Sequence, residues 1–257
     1  MGPGRQEIPR GGIWEPSRSS GPTPSDTQLH TPVLLQESVD ALNLAGDCVA
    51  VDATLGEGGH ARDILKRLSP AGKLVGIERD SRMIAAMTVT DPRLFVVEGN
   101  FRETARCLKS LGFESACGIL ADLGLSMRHY RTPEWGFSFS DGPLDMRLGT
   151  RGPTAADVLN KWDEKRLADL FFGAGLRGGR AIAKSIVEGR KKIPFSRTSD
   201  LMELGRKEGG RGKSNPATGI FRAIREAVTG ELNDLAEFIR TVPDALESGG
   251  RLSVLAY

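Results

Sequence analysis

Residues 49–60 read V-A-V-D-A-T-L-G-E-G-G-H. A short β-prone run ends in Asp52, and Gly56, Gly58 and Gly59 then let the backbone turn tightly into the first turn of a helix. Strand, glycine turn and helix in that order are the layout of a nucleotide-type cofactor loop. Outward from it, short apolar strands alternate with amphipathic helices. The pattern predicts strands at 49–53, 73–78, 94–97 and 117–122, helices at 61–68, 81–87 and 101–111, and a fifth strand at 251–257. Such alternation argues for βαβ units with right-handed crossovers. The expected class is therefore α/β, a doubly wound parallel sheet whose ligand lies at the carboxyl ends of its strands.

Two more acids fall at strand ends. Glu78 ends the second strand, 22 residues after Gly56, where a carboxylate can accept hydrogen bonds from the hydroxyls of an adenosine ribose. Asp122 ends the fourth strand, within A-D-L-G-L-S. The charge of the loop selects among cofactors. A dinucleotide rests its pyrophosphate on a helix N-terminus. Here Asp52 and Glu57 repel phosphate, and position 61, where the third glycine of that fingerprint belongs, is Ala61. S-adenosylmethionine brings a sulfonium, an amine and an adenosine without phosphate, and it suits an acidic loop better.

Composition sets wider bounds. Of 257 residues 39% are hydrophobic and 26% charged, ordinary values for a globular protein. The chain has neither an apolar run of membrane-spanning length nor a signal-peptide hydrophobic region, so the reading is a cytoplasmic protein with no membrane partner, or one of an organelle matrix in a eukaryote. Cys48, Cys107 and Cys117 lie in apolar surroundings with no metal-ligand spacing, and are expected to be buried free thiols; no metal site is expected. Residues 1–28, with five Pro, five Gly and no hydrophobic period, read as a disordered tail.

After Asp122 the alternation stops. Residues 131–147 combine aromatics, glycines, prolines and carboxylates without a period, and are expected to form an ordered functional loop rather than part of the core. Short helices follow at 154–159, 163–172 and 180–187, and the mainly helical piece at 141–213 reads as an insertion. Between Arg177 and Lys213, 11 Lys/Arg face 4 Asp/Glu, a local +7 that leaves −5 elsewhere. That excess suits a polyanionic partner, although a solvated helix face would also carry it. Arg177, Arg180 and Lys184 are spaced for one helix face. Asn215-Pro216 caps a helix in which Phe221, Ile224 and Val228 share a face, and Leu232, Leu235 and Ile239 continue a buried stripe toward Gly249-Gly250. The domains are thus the tail at 1–28, a cofactor-binding domain at 29–140 and 214–257, and the insertion between them.

H-T-P-V-L-L-Q-E-S-V at 30–39, D-A-T-L-G-E-G-G-H at 52–60, G-N-F at 99–101, D-L-G-L-S at 122–126, G-F-S-F-S-D-G-P-L-D-M-R at 136–147, T-A-A-D-V-L-N at 154–160 and N-P-A-T at 215–218 together resemble the RsmH (MraW) family. The resemblance spans about 29–257, and the run at 136–147 is its most specific part. It implies a Rossmann-like class I methyltransferase that uses S-adenosylmethionine to methylate N(4) of a cytidine in the decoding region of small-subunit ribosomal RNA, free or in an assembling subunit. By the same resemblance Gly58, Gly59 and His60 contact the methionine portion of the cofactor, Glu78 the ribose, Phe101 the adenine side, and Asp122 closes the fourth strand. His129 stands where a Gln also contacts cofactor. Departures include S-M-R-H-Y-R at 126–131, G-L-R-G at 175–178 and Arg222. The family's H-S-L-E-D-R segment after the fifth strand is absent, which implies that the last two strands of a seven-stranded sheet are missing and the fifth is an exposed edge.

Chemically, Asp122 is the candidate to accept a hydrogen from the cytosine amine, although a purely cofactor-facing role fits it equally. Trp135, Phe137 and Phe139 are candidates to stack on the target base. Two other readings stay open: a catalytically impaired or truncated RNA-binding relative, and a nicotinamide-dependent oxidoreductase. Oligomeric state is not legible.

Overall fold

The computed structural model describes residues 32–208 and 217–256. The predicted tail at 1–28, His30 and Thr31, the Asn215-Pro216 cap and the basic residues Arg211 and Lys213 lie outside the described residues. The chain forms two compact units, one holding the chain through Gly124 and again from Glu237, the other Leu125–Ala236.

The first unit contains α1 (Leu35–Asp40), β1 (Val49–Asp52), α2 (Gly59–Arg67), β2 (Lys73–Glu78), α3 (Ser81–Ala86), β3 (Leu94–Glu98), a 3-10 turn (Phe101–Glu103), α4 (Thr104–Ser110) and β4 (Ala116–Asp122). Its five strands pair in parallel in the order β3-β2-β1-β4-β5, where β5 is Leu246–Leu255. The interiors of β1, β2 and β4 are almost wholly buried, as helices on both faces of a parallel sheet require, and their sequences accordingly run apolar without alternation. One core cluster joins Val39 and Leu42 of the α1 segment, Ala50, Ile64 and Leu65 of α2, Leu74 and Leu120. Between β1 and β4 the strand order reverses direction. That is the switch point at which such sheets open a crevice for ligand.

The second unit contains α5 (Met127–Arg131), a 3-10 turn (Pro133–Trp135), α6 (Ala155–Lys161), α7 (Glu164–Gly173), α8 (Gly179–Arg190), α9 (Thr198–Glu208) and α10 (Thr218–Thr229). Local chemistry starts its helices: Thr154 and Asp157 form a reciprocal capping box on α6, and Asp163 accepts the Arg166 N–H at the start of α7. The last helix, α11 (Glu231–Thr241), carries the boundary at Ala236.

Four expectations need correction. The segment at 136–147 is a loop, but its apolar residues belong to the core: Phe137, Leu144 and Met146 are buried in one cluster with Val158, Phe171, Ile186, Leu201, Phe221 and Ile224. The unit boundaries therefore fall at 124/125 and 236/237 rather than at 141 and 213, because the loop and α10 pack with the inserted helices. On α11 the expected stripe is largely exposed, Leu232 at 67% and Ile239 at 60%, while Asp234 and Phe238 are buried. Finally, Cys48 and Cys117 are joined in a disulfide, and only Cys107 is a buried free thiol. The parallel register sets Ala50 beside Gly118, so residues 69 apart in sequence become neighbours.

β5 also begins five residues earlier than its predicted start at 251. Its pairing with β4 shifts register between Ala116 and Gly118, and Gly249 takes φ +84° within the irregularity, so the two glycines bulge the strand rather than end it. β5 is an edge of the sheet, with Leu252 and Val254 exposed. Among the described residues no helix is long and apolar enough to cross a membrane.

Candidate cofactor site

The strand register aligns Asp52 with Gly76 on one side and Leu120 on the other, so Glu78 and Asp122 reach two residues further along their strands and flank the turn that leaves β1. That turn is tied to both neighbours. The Leu55 N–H donates to the Ile77 carbonyl at 2.9 Å and the Ala53 N–H to the Leu120 carbonyl at 2.8 Å. The Asp122 N–H donates to Thr54 Oγ1 at 2.7 Å. The Gly56 N–H donates to Glu78 Oε2 at 2.9 Å, and Glu78 Oε1 accepts the Asp80 N–H at 2.8 Å.

Gly58 precedes α2 with φ +78°, and a Cβ built there would stand 2.4 Å from Val89 Cγ2. Both its conformation and its surroundings exclude a side chain. The turn delivers His60 into the first turn of α2, 4% exposed, with Nδ1 4.0 Å from Asp122 Oδ2. Burial holds the imidazole below its usual pKa, against the pull of Asp122 and Asp63, so the ring is biased toward the neutral form. Its Nε2 has no hydrogen-bond partner among the described residues.

Asp52 is the residue whose importance the sequence understates. The sequence reading gives it only a repulsion toward phosphate. In the structure its carboxyl is 1% exposed, Oδ1 accepts the Thr54 N–H at 3.2 Å, and Oδ2 is buried without a hydrogen-bond partner among the described residues. Burial first, and then the charges of Asp122 and Glu78, push its pKa up to about 7. Spacing along the chain could not show this, because the burial of Asp52 and the two acids beside it both come from tertiary packing.

Five of the predicted site residues, Gly58, Gly59, His60, Glu78 and Asp122, are thus gathered at the carboxyl ends of β1, β2 and β4. Phe101 opens the turn after β3, the strand beside β2, and its ring meets Phe238 edge-on at 5.4 Å. His129 belongs to the other unit. There its buried ring lies 5.2 Å from both Trp135 and Phe137. Phe137, 6% exposed, is core and cannot stack on a base without leaving it; Phe139, 44% exposed, rests edge-on against Phe221 at 4.9 Å. On α8, Arg180 and Lys184 are exposed, whereas Arg177 lies in the turn before the helix.

A turn without room for a side chain, a ring of carboxylates, and buried polar atoms awaiting partners fit a cationic adenosyl ligand and oppose a pyrophosphate. With the strand order β3-β2-β1-β4-β5, they define a Rossmann-like class I methyltransferase. Comparison with known proteins narrows the class. A model of the MraW methylase family matches residues 27–257, and the chain belongs to that family. Its cofactor is S-adenosylmethionine. The ribosomal RNA small subunit methyltransferase H of Bacteroides fragilis is 41% identical over 236 residues, covering 90% of this chain and 77% of its own. The protein of that name from Bacteroides thetaiotaomicron is 39% identical over 232 residues, covering 89% and 76%. A solved structure of a putative methyltransferase from an antibiotic biosynthesis pathway of Anabaena variabilis aligns over 82% of this chain and 89% of its own at 19% identity, with a TM-score of 0.28.

Proposed function

We propose that this protein methylates the exocyclic amine, N(4), of a cytidine in the decoding region of small-subunit ribosomal RNA, acting in the cytoplasm on the RNA or the assembling subunit. The observation that carries the reading is the cluster of Asp52, Glu78 and Asp122 around the glycine turn, in a chain about 40% identical to ribosomal RNA small subunit methyltransferases.

S-adenosylmethionine, when bound, supplies a methyl group on an electrophilic sulfonium. Gly58 and Gly59 let the backbone approach its methionine portion, and His60 contacts the same portion. Glu78, at the end of β2, accepts the ribose hydroxyls, and Phe101 borders the adenine. Asp122 accepts one hydrogen of the cytosine amine. The amine is a weak nucleophile because its lone pair is delocalised into the ring, and a carboxylate on one N–H favours a more pyramidal nitrogen with the lone pair aimed at the methyl. His129 is assigned a cofactor contact of its own. In the helical unit, the exposed Arg177, Arg180, Lys184, Lys191 and Lys192 support a role in holding RNA phosphates, with affinity that falls as salt rises. Phe139 is the loop aromatic whose exposure supports stacking on the target base.

The test is mass spectrometry of small-subunit RNA from cells lacking the gene. Loss of one cytidine N(4) methyl, restored by the wild-type chain and not by Asp122→Asn, is expected. Unchanged modification in the deletion strain would overturn the reading in favour of a non-catalytic RNA-binding relative.

A further inference from the structure

The three acids are not equivalent. Glu78 already receives two backbone N–H groups, and Asp122 has His60 4.0 Å away. Asp52 is the most deeply buried of them, makes no ion pair among the described residues, and has no hydrogen-bond partner for Oδ2 among them. A carboxylate in that position is costly, because neither water nor a protein cation offsets its charge while two other carboxylates face it. Two things relieve it: a proton, or an external positive charge.

We propose that Asp52 is the residue that distinguishes the cationic methyl donor from its product, holding a proton in the free protein and releasing it when S-adenosylmethionine binds, and doing so far less when S-adenosylhomocysteine binds. The inference rests on the cofactor occupying the turn after β1. Donor and product share the same adenosine, carboxylate and ammonium; they differ by the positive charge on the reacting sulfur. A fixed positive charge close to the acid cluster favours the ionised form of Asp52, so the O–H bond breaks and the proton passes to solvent. After transfer the sulfur is a neutral thioether, the ion is no longer balanced, and the carboxyl takes a proton back. The site then has one favourable electrostatic contact fewer with the product, and release follows from the chemistry of the reaction itself.

The groups around Asp52 bear on its titration from each neighbouring element. Glu78 on β2 and Asp122 on β4 raise it, the N–H groups of Thr54 after β1 and Ala61 on α2 lower it, and burial outweighs both in holding the proton to about neutral pH. Burial also lowers the pKa of His60 on α2, against the charges of Asp122 and Asp63, and so disfavours its charged form.

The experiment is titration calorimetry of the full chain with S-adenosylmethionine and, separately, S-adenosylhomocysteine, in buffers of different ionisation enthalpy, from about pH 5.5 to 8.5. The buffer dependence counts protons directly and needs no catalytic activity. Below about pH 7, net proton release with the donor and little with the product are expected, with donor affinity rising by up to about tenfold per pH unit and levelling above that. Asp52→Asn abolishes the release and flattens the pH dependence. No release by the wild-type protein, equal release with both ligands, or undiminished release in Asp52→Asn would each overturn the proposal. The wild-type buffer series decides the matter even if Asp52→Asn does not fold. Failure of the wild-type chain to bind S-adenosylmethionine at all is a distinct outcome, and it would overturn the assignment of the cofactor to this turn together with the inference.

Discussion

Gly142→Ala adds a single methyl group to the loop at 136–147, and the structure says it has nowhere to go. A Cβ built at Gly142 stands 2.0 Å from the Pro133 carbonyl oxygen and 2.7 Å from its carbon, both backbone atoms that cannot rotate aside. Reaching ordinary van der Waals contact requires a shift of about 1.4 Å, the difference between 2.0 Å and 3.4 Å. The opposite side is pinned. The Gly142 N–H donates to Thr198 Oγ1 at 3.0 Å, its carbonyl accepts the Thr198 N–H at 2.9 Å, and the Leu144 N–H donates to the Ser196 carbonyl at 2.9 Å. Overpacking costs about 1 to 3 kcal/mol, and each hydrogen bond stretched by the retreat costs about 1 kcal/mol more. A loss of about 3 to 5 kcal/mol is expected, a large part of the stability of an ordinary domain, since Leu144 and Met146 leave the core with the loop. Urea unfolding followed by fluorescence reads this unit through Trp135 and Trp162, which both lie in it, once the third tryptophan is removed by Trp14→Phe. Gly173→Ala is the control: nothing lies within 4 Å of its added Cβ, and it should change stability by less than about 1 kcal/mol. If Gly142→Ala costs less than about 1 kcal/mol, the loop is not held between Pro133 and Thr198 as described.

Adjacent residues on α11 should behave oppositely: Phe238→Ala, at 0% exposure and edge-on to Phe101, costs about 3 to 5 kcal/mol, whereas Ile239→Ser, at 60% exposure, stays within about 1 kcal/mol in the same thermal melts. Thiol titration of the denatured, unreduced protein should find one free cysteine, Cys107, and three after reduction. Because the bridge closes a loop of 69 residues, reduction should lower stability by up to about 4 kcal/mol, and no change in melting temperature would count against a structural bridge. Asp52 makes the free protein pH-sensitive. Its folded-state pKa is raised from 3.8 to about 7, so its contribution is full below the unfolded value and is lost as pH rises through about 7. Ionised, it removes at most about 4 kcal/mol, three pKa units at about 1.4 kcal/mol each. Asp157, held down to about 2 first by its hydrogen bond to Lys161, acts in the opposite sense, with stability lost only as pH falls through its own folded value. Unfolding measured at about pH 5 and pH 8 should therefore show a decrease that Asp52→Asn flattens; an unchanged decrease in the variant would remove Asp52 as its cause.

How far the chain could be read depended on the range of the interaction in question. The sequence by itself determined the βα alternation, the glycine turn after β1 and the acids at the ends of β2 and β4, because the periods of strand and helix and the steric freedom of glycine act within a few residues. The resemblance carried in 136–147 named the family but not the reason for its glycines, which lies in the carbonyl of Pro133 and the hydroxyl of Thr198, 56 residues downstream. On α11 the apolar stripe of Leu232, Leu235 and Ile239 satisfies the helical period yet leaves Leu232 and Ile239 exposed, since the period offers a face and only the neighbouring elements choose it. Gly249 and Gly250 punctuate a sequence but bulge a strand, because pairing with β4 continues past them. The Cys48–Cys117 bridge and the state of Asp52 were decided by tertiary structure alone. Both arise from strand register, which brings side chains tens of residues apart into contact. No local pattern encodes that a carboxyl at the end of β1 will meet two more, far from water and with one oxygen unpaired among the described residues.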